Sequence, residues 1–292
     1  MRIGTRGSAL AVAQATSVAE RLGPGCELIT VTTAGDRGEG QEDKSRWVNE
    51  LEHALIRGEI DLAVHSAKDV PAELPHDLEL VAFPLRVDPR DALCGAPSLA
   101  DLQAGSRVGT SSVRRSAQLR ALRDDLEIVS LRGNVDTRLR KLANGDLDAI
   151  VIAAAGLHRL GRESEVGAML DELVPAPGQG ALAIEARRGD GAVGRLAAVT
   201  DSTTAVCVQA ERELVRRLEA SCHTPVGAYA RLLADGQLEL VAWVGLPDGS
   251  EWIRDTLIGA PKQVGGQVAE RMLSAGAGEL LARAALNAES AW

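Results

Sequence analysis

The chain is poor in aromatic residues and cysteines and has no long apolar run. Six of its 292 residues are aromatic, which argues against a surface that binds nucleic acid by base stacking. The longest uncharged apolar run, 149–157, has about nine residues, whereas a helix that crosses a bilayer needs about 20. The N-terminal residues MRIGTRGSAL contain no apolar segment typical of a secretory signal. These absences predict a cytoplasmic protein that does not span the membrane.

The cysteines and the charge balance exclude further classes. Cys26, Cys94, Cys207 and Cys222 show no CxxC spacing, so we expect reduced thiols and no metal site. The 41 acidic residues outnumber 32 basic ones, which argues against a general binder of nucleic acids or anionic membranes. No exposed apolar stripe is predicted, and a monomer is expected.

The spacing of apolar residues predicts an α/β fold with three domains. Strands and helices alternate over the first two thirds of the chain, a pattern that favours a mostly parallel sheet in each of two domains. The segments 86–95 and 173–186 are predicted crossovers, so that the second domain is inserted into the first. The predicted boundaries are 1–88 with 181–200 for domain 1, 91–176 for domain 2 and 204–292 for domain 3.

Individual elements follow from the same patterns. Residues 34–43 are polar and predict a loop. From 204 onwards, the pattern predicts a small α+β domain with an antiparallel three-stranded sheet. Its elements are a helix over 204–220, three strands near 226–233, 238–245 and 251–258, and a helical stretch over 262–285. In the first two domains, strands are predicted at 1–5, 26–33, 60–66, 79–85, 107–110, 127–131 and 148–154, and the helices include 8–22 and 134–143.

Cations and hydroxyls recur where predicted strands pass into helices. In parallel α/β sheets, ligands bind beyond the carboxyl ends of the strands, where helix N-termini expose free N–H groups. Five such junctions carry side chains that bind anions, since guanidinium groups bind carboxylate or phosphate with two hydrogen bonds. They are TRGSALA with Arg6 and Ser8, VHSAKDVP with Ser66, Lys68 and Asp69, GTSSVRR with Thr110, Ser112, Arg114 and Arg115, LRGNVDTRL with Arg132, Asn134 and Arg138, and AAAGLHRL with Arg159.

The residues alone leave alternatives open at these positions. An arginine in a first helical turn is also compatible with a solvated surface. Neither GxxxxGK[ST] nor GxGxxG after a strand occurs, so carboxylates are at least as plausible as phosphates. Asp69 either caps a turn or stabilises a developing positive charge. Cys222, in a polar loop, is an ordinary free thiol, a nucleophile or an attachment point.

The motifs together resemble one known family. TRGSALA, TTAGD, VHSAKDVP, GTSSVRR, LRGNVDTRL, AAGLHRLG, PGQGA and SCHTPVG occur in the order and spacing of the porphobilinogen deaminases, also called hydroxymethylbilane synthases. The resemblance covers essentially the whole chain. It implies two double-wound domains like those of periplasmic binding proteins, linked by two crossovers, and a third domain that carries the cofactor.

The resemblance also implies a reaction. A transferase of this family condenses four porphobilinogen molecules head to tail, with loss of ammonia, onto a dipyrromethane cofactor held by a thioether. It releases the linear tetrapyrrole hydroxymethylbilane for porphyrin and heme biosynthesis. Each pyrrole carries two carboxylates, which accounts for an arginine-rich cleft in an acidic protein.

Residue roles are carried over from the same motifs. Asp69 is the implied catalytic carboxylate, Cys222 the attachment residue, and Lys44 a lid residue in a segment that departs from the family pattern. The implied cofactor-binding residues are Ser66, Lys68, Thr110, Ser112, Arg114, Arg115, Arg132 and Asn134. The implied substrate-binding residues are Arg6, Ser8, Arg132, Arg138, Arg159 and Gln179.

Two other functions remain open. A non-catalytic double-wound protein that binds a small carboxylate or oxyanion would use the same junctions, but it gives no reason for Cys222 or the third domain. A thiol hydrolase using Cys222 and His223 is a weaker option, because adjacent loop residues seldom have the geometry of a nucleophile and its base.

Overall fold

The computed structural model describes residues 1–31, 44–190, 193–220 and 224–290. Its strands are, in chain order, β1 (Arg2–Thr5), β2 (Glu27–Thr30), β3 (Leu62–Ser66), β4 (Leu78–Ala82), β5 (Asp91–Cys94), β6 (Arg107–Gly109), β7 (Glu127–Val129), β8 (Ala149–Ala153), β9 (Ala168–Leu170), β10 (Leu182–Arg187), β11 (Val226–Leu232), β12 (Leu238–Gly245) and β13 (Trp252–Gly259). Its helices are α1 (Ala9–Leu22), α2 (Lys44–Ile56), α3 (Val113–Leu122), α4 (Val135–Ala143), α5 (Ala154–Arg159), α6 (Val193–Leu196), α7 (Ser202–Arg217), α8 (Val264–Ser274) and α9 (Ala277–Ser290). No described helix is long and apolar enough to cross a bilayer.

Two of the three sheets share one topology. The first sheet has the order β2-β1-β3-β10-β4 and the second β7-β6-β8-β5-β9. Each has three neighbouring parallel strands, then a strand that arrives from a crossover, then one more strand. Helices cover both faces of the first sheet, because Val18 of α1 packs with Ile3 and Ile184 while Leu51 and Leu55 of α2 pack with Ala63. This is the double-wound arrangement that the family resemblance implies.

The prediction of mostly parallel sheets is confirmed, since four of the five strands in each sheet run in the same direction, but one strand in each sheet is reversed. In the first sheet, β1 pairs in parallel with β2 and β3, but β10 pairs antiparallel with β3 and β4. In the second sheet, β5 is likewise antiparallel to β8 and β9. The reason is topological. The chain reaches β5 from the first sheet and β10 from the second sheet, and each of these strands runs against the strands that are joined by helices.

The crossovers also contain structure that the sequence patterns missed. The predicted crossover 86–95 includes β5, which is buried at all four positions, and β9 was not predicted. The strands of the first sheet come from 2–82 and 182–187, and those of the second from 91–170. The predicted domain boundaries remain predictions.

The C-terminal part forms a separate antiparallel sheet in the order β11-β12-β13. Leu214 of α7 and Val268 of α8 are buried in one core with Leu240 of β12. The prediction of one helical stretch over 262–285 was wrong, because the chain breaks at Gly276 with a φ of 100°. Such a positive φ favours glycine and ends α8 before α9 begins.

Candidate functional site

The candidate site lies at the carboxyl ends of the parallel strands, where both crossing strands begin. Because β10 runs against β3, its first residue Leu182 pairs with Ser66, the last residue of β3. In the second sheet, Asp91 at the start of β5 pairs with Ala153 at the end of β8. The antiparallel direction of the crossing strands therefore brings crossover residues to the edge that carries the strand-to-helix junctions.

Helix α1, which begins at the first junction, contacts the second junction in the first sheet. The Ser8 hydroxyl caps α1 by accepting a hydrogen bond from the Ala11 N–H, at 3.3 Å. Gln14 Nε2, one turn further along α1, donates to Ser66 Oγ at 3.0 Å. A 3-10 turn, Ala67–Asp69, follows β3 directly and carries Lys68 and Asp69, both half-buried.

The third and fourth junctions contact each other in the second sheet. The Ser112 hydroxyl caps α3, and the Ser112 N–H donates to Thr110 Oγ1 at 3.2 Å. Asn134 caps α4 by accepting from the Thr137 N–H at 2.9 Å. Arg138 Nη2 donates to Ser111 Oγ, also at 2.9 Å, and thereby connects the two junctions.

Arg114 and Arg115, at the start of α3, share a buried carboxylate. These two residues and Asp91 are all buried, each at most 5% exposed as a whole residue. Asp91 Oδ2 lies 2.8 Å from Arg114 Nη1, and Asp91 Oδ1 lies 2.8 Å from Arg115 Nε. Burial by itself raises the pKa of Asp91, but the two guanidinium charges outweigh it and hold that pKa well below its usual range.

Gln179, in the second crossover, connects the two sheets. Its Oε1 accepts from Lys68 Nζ at 3.2 Å and from Arg115 Nη2 at 3.4 Å. Its Nε2 donates to the Pro89 carbonyl at 2.7 Å and to Asp91 Oδ1 at 2.8 Å. Gln179 is fully buried, and its amide connects Lys68 with Asp91 and Arg115. Its contact with substrate stays a prediction.

Arg159 and Arg132 stand at the rim of the second sheet. Arg159 Nη2 donates to the Gly180 carbonyl at 2.7 Å, beside the crossover residue Gln179. Burial lowers the pKa of Arg159 to about 10, which leaves the guanidinium charged at neutral pH. Arg132 is exposed and precedes the cap residue Asn134.

Asp69 is the one acidic side chain of its junction and interacts electrostatically with Arg115. Burial, the largest effect, lowers the pKa of Arg115, while the charges of Asp91 and Asp69 raise it. Lys68 of the 3-10 turn and Arg115 of α3 both donate to Gln179 Oε1, so the turn after β3 and the start of α3 face each other. Cys222 and the side chain of Lys44 lie outside the described residues, as does the predicted loop 34–43.

The arrangement is suited to anions with several carboxylates. Helix caps, hydroxyls and guanidinium groups from both sheets converge at one edge, and Arg114 Nε is buried without a hydrogen-bond partner among the described residues. A buried N–H that lacks a partner is costly unless an acceptor arrives. A dipyrromethane, which carries four carboxylates, fits this set of donors.

Asp91 is the member of this set that sequence reasoning missed. The visible signal was a carboxylate placed at the head of the apolar run DALC, since an acidic residue that enters a buried strand needs partners. Because 86–95 was predicted as a crossover without a strand, Asp91 was not recognised as a residue of a buried strand.

The fold and the site define a class of protein. Two double-wound sheets joined by two crossovers, with anion-binding junctions at one edge, are the architecture of a two-lobed ligand-binding protein. A family model described as the porphobilinogen deaminase dipyrromethane cofactor binding domain matches residues 1–195, and that of the porphobilinogen deaminase C-terminal domain matches 205–274. The chain belongs to the porphobilinogen deaminase family, which makes it a transferase with a dipyrromethane cofactor.

Relatives that match this chain over nearly their whole length are also porphobilinogen deaminases. The porphobilinogen deaminase of Syntrophobacter fumaroxidans is 47% identical, with 96% of each chain covered. That of Thermus thermophilus is 46% identical, with 96% of this chain and 98% of the relative covered. These names support the transferase over the alternative of a non-catalytic binding protein.

Solved structures with a related chain path include periplasmic proteins. A nutrient-binding protein from Burkholderia cenocepacia bound to methionine is 14% identical, with a TM-score of 0.44 over 74% of this chain and 95% of that one. A periplasmic substrate-binding protein of an ABC transporter from Coxiella burnetii is also 14% identical, with a TM-score of 0.42 over 70% of this chain and 94% of that one. Likenesses at this level do not bear on the function.

Proposed function

We propose that this chain is a hydroxymethylbilane synthase that condenses four porphobilinogen molecules on a dipyrromethane attached to Cys222. The observation that supports it most is the chain of contacts Lys68–Gln179–Arg115. This chain joins the cationic junctions of both sheets around Asp69. Such a site provides opposite charges for a growing polycarboxylate and places the Asp69 carboxylate beside them.

The cofactor carboxylates are assigned to the residues nearest that centre. Arg114 keeps one buried donor, its Nε, for a ligand oxygen, and the free N–H groups at the starts of α3 and α4 add further donors. When bound, dipyrromethane supplies the nucleophilic carbon to which the first substrate is joined. The proposed cofactor-binding set is Ser66, Lys68, Thr110, Ser112, Arg114, Arg115, Arg132 and Asn134.

Substrate carboxylates are assigned to side chains around the same edge. Arg138 bridges the third and fourth junctions through Ser111, and Arg159 contacts the second crossover. Both arginines belong to the strand-to-helix junctions at this edge, and their charges favour carboxylate groups there. The proposed substrate-binding set is Arg6, Ser8, Arg132, Arg138, Arg159 and Gln179.

Asp69 is assigned the catalytic role. Loss of ammonia from porphobilinogen leaves positive charge on the pyrrole, and a carboxylate fixed beside it stabilises that charge as it develops. The 3-10 turn fixes Asp69 directly after a buried strand. Asp69 itself therefore needs little rearrangement during the reaction.

Intact-mass spectrometry tests the proposal. Purified full-length protein exposed to porphobilinogen should carry an adduct of two pyrrole units and should convert porphobilinogen to a linear tetrapyrrole. A folded protein that keeps its unmodified mass and releases porphobilinogen unchanged would support a binding protein and overturn the transferase.

The protein is further proposed to act as a cytoplasmic monomer without nucleic acid. The free thiols of Cys26, Cys94 and Cys207 are compatible with a reducing compartment, and the net charge of −9 disfavours nucleic acid. Light scattering coupled to size exclusion should give a mass near 30.7 kDa. A mass of twice that value would overturn the monomer.

A further inference from the structure

The first crossover places one carboxylate beneath the anion-binding helix of the second sheet. Asp91 opens β5, between β8 and β9, and is fully buried. Because β5 runs against β8, this first residue lies level with Ala153, where β8 passes into α5. A carboxylate at that position is within reach of the first turn of α3 and of the second crossover.

Asp91 contacts donors from two segments, since Arg115 of α3 and Gln179 of the second crossover donate hydrogen bonds to Oδ1, and Arg114 of α3 forms an ion pair with Oδ2. Arg114 Nη1, Arg115 Nε and Gln179 Nε2 all lie 2.8 Å from its oxygens. Two cations face one anion, so this buried group keeps an excess positive charge. Buried charge of one sign is unfavourable unless a counter-ion neutralises it. The excess therefore favours binding of an anion at this place.

The same contacts give the two adjacent arginines different roles. Arg115 uses all three of its nitrogens within the protein, on Asp91, the Val151 carbonyl and Gln179. Arg114 directs only Nη1 to Asp91 and the Val174 carbonyl, and its Nε is left without a partner among the described side chains and backbone. Arg115 is thus a connector, while Arg114 presents a donor.

We propose that Asp91 is a positioning residue that orients Arg114 toward the ligand and fixes Arg115 and Gln179 as the connection to Lys68. This inference rests on the proposed function, since the ligand is the polycarboxylate chain of the cofactor and its substrate. Without the Asp91 charge, both guanidinium groups lose their shared counter-ion and the connection from Gln179 to the second sheet weakens. The expected consequence is poorer binding of carboxylate ligands by a protein that remains folded.

The test compares Asp91→Asn, Asp91→Glu and wild type as full-length proteins. We expect Asp91→Asn to lower the fraction of protein that carries the cofactor adduct at least tenfold, or to raise KM for porphobilinogen at least tenfold with a smaller change in kcat per cofactor-loaded molecule. Asp91→Glu, which keeps the charge, should recover part of that loss. Asp171→Asn is the matched control, because Asp171 pairs with Arg90 on the surface of the same region and should behave as wild type.

Several outcomes would overturn the inference. If folded Asp91→Asn protein has the adduct fraction and KM of wild type, Asp91 has no positioning role. If Asp91→Asn and Asp91→Glu lose binding equally, its charge is not what matters. A wild-type protein without adduct would instead remove the proposed function itself, so the two failures are distinguishable.

A second variant keeps the test decisive if Asp91→Asn does not fold. Gln179→Met removes the connection between Lys68 and Asp91 without changing any charge. It should raise KM for porphobilinogen severalfold while leaving the circular dichroism spectrum unchanged. A wild-type KM in folded Gln179→Met protein would overturn the connecting role.

Discussion

Glu211 of α7 accepts a hydrogen bond from Arg86 of the first crossover, with 2.6 Å between Oε1 and Nη1. Glu211 is fully buried and also accepts from the N–H groups of Gly178 and Ala230. Its carboxylate therefore joins both crossovers to α7 and β11. Arg86 in addition stacks over the ring of Tyr229, 5.1 Å from its centre.

The substitution Glu211→Ala should destabilise the protein strongly. It leaves a buried guanidinium and two buried N–H groups without their acceptor, and removal of one partner of a buried pair costs about 3–5 kcal/mol. Chemical denaturation measures the change in the free energy of unfolding. Glu213→Ala on the same helix is the control, because its pairs with Arg216 and Arg217 are at the surface and are worth about 1 kcal/mol or less. Equal losses in the two variants would contradict the role of Glu211.

The substitution Asp69→Asn should abolish most turnover while preserving the fold. Asparagine has nearly the same shape as aspartate but no charge to stabilise the developing cation, so we expect a fall in kcat of about 10²-fold or more. Consumption of porphobilinogen per folded molecule is the measurement. Asp77→Asn, at an exposed position after the same turn, should keep wild-type activity. A wild-type rate in Asp69→Asn would remove Asp69 from the catalytic role.

The substitution Cys222→Ser should prevent cofactor attachment, because a serine hydroxyl does not form the thioether. Intact-mass spectrometry should then show only the unmodified chain, and turnover should be absent. Cys26→Ser serves as control, since Cys26 packs at the edge of the first core and its loss should leave the adduct in place. An adduct on Cys222→Ser protein would place the attachment elsewhere.

Glu52 of α2 should make stability depend on pH. It is 5% exposed, and burial, with a contribution from the charge of Glu185, raises its pKa to about 7, while His65 opposes the shift. His65 Nε2 lies 2.9 Å from Glu185 Oε2 behind the Asp69 turn. Because the folded state holds the Glu52 proton more tightly than the unfolded chain, stability falls as the pH rises from about 4.5 to about 7 and stays lower above that range.

The substitution Glu52→Gln should remove this loss. At pH 8 the variant should be more stable than wild type by about 2–3 kcal/mol, whereas at pH 4 the two should be similar. Unfolding free energies at both pH values provide the measurement. Glu73→Gln, at an exposed position, should follow the wild-type profile. Identical profiles for Glu52→Gln and wild type would show that Glu52 is not the group that titrates.

The junction residues could be predicted because their placement is local. Ser8, Ser112 and Asn134 each stand between the end of a strand and the first turn of a helix, and each caps that helix. Periodicity and capping chemistry fix these positions within a few residues along the chain. The direction of β5 and β10 could not be predicted in the same way, because pairing between strands far apart in sequence leaves no local signal.

The amino-acid sequence by itself determined which charges and hydroxyls lie at the strand-to-helix junctions and, through its motifs, the family to which the chain belongs. Only the tertiary structure decided which of those charges neutralise one another. Asp91, Gln179 and Arg115 are 24 to 88 residues apart, and they meet because two antiparallel strands begin at the same edge where the parallel strands end. These contacts leave Arg114 Nε as a buried donor without a partner among the described residues, while all three nitrogens of Arg115 are bound within the protein. The sequence alone does not reveal this difference between two adjacent arginines.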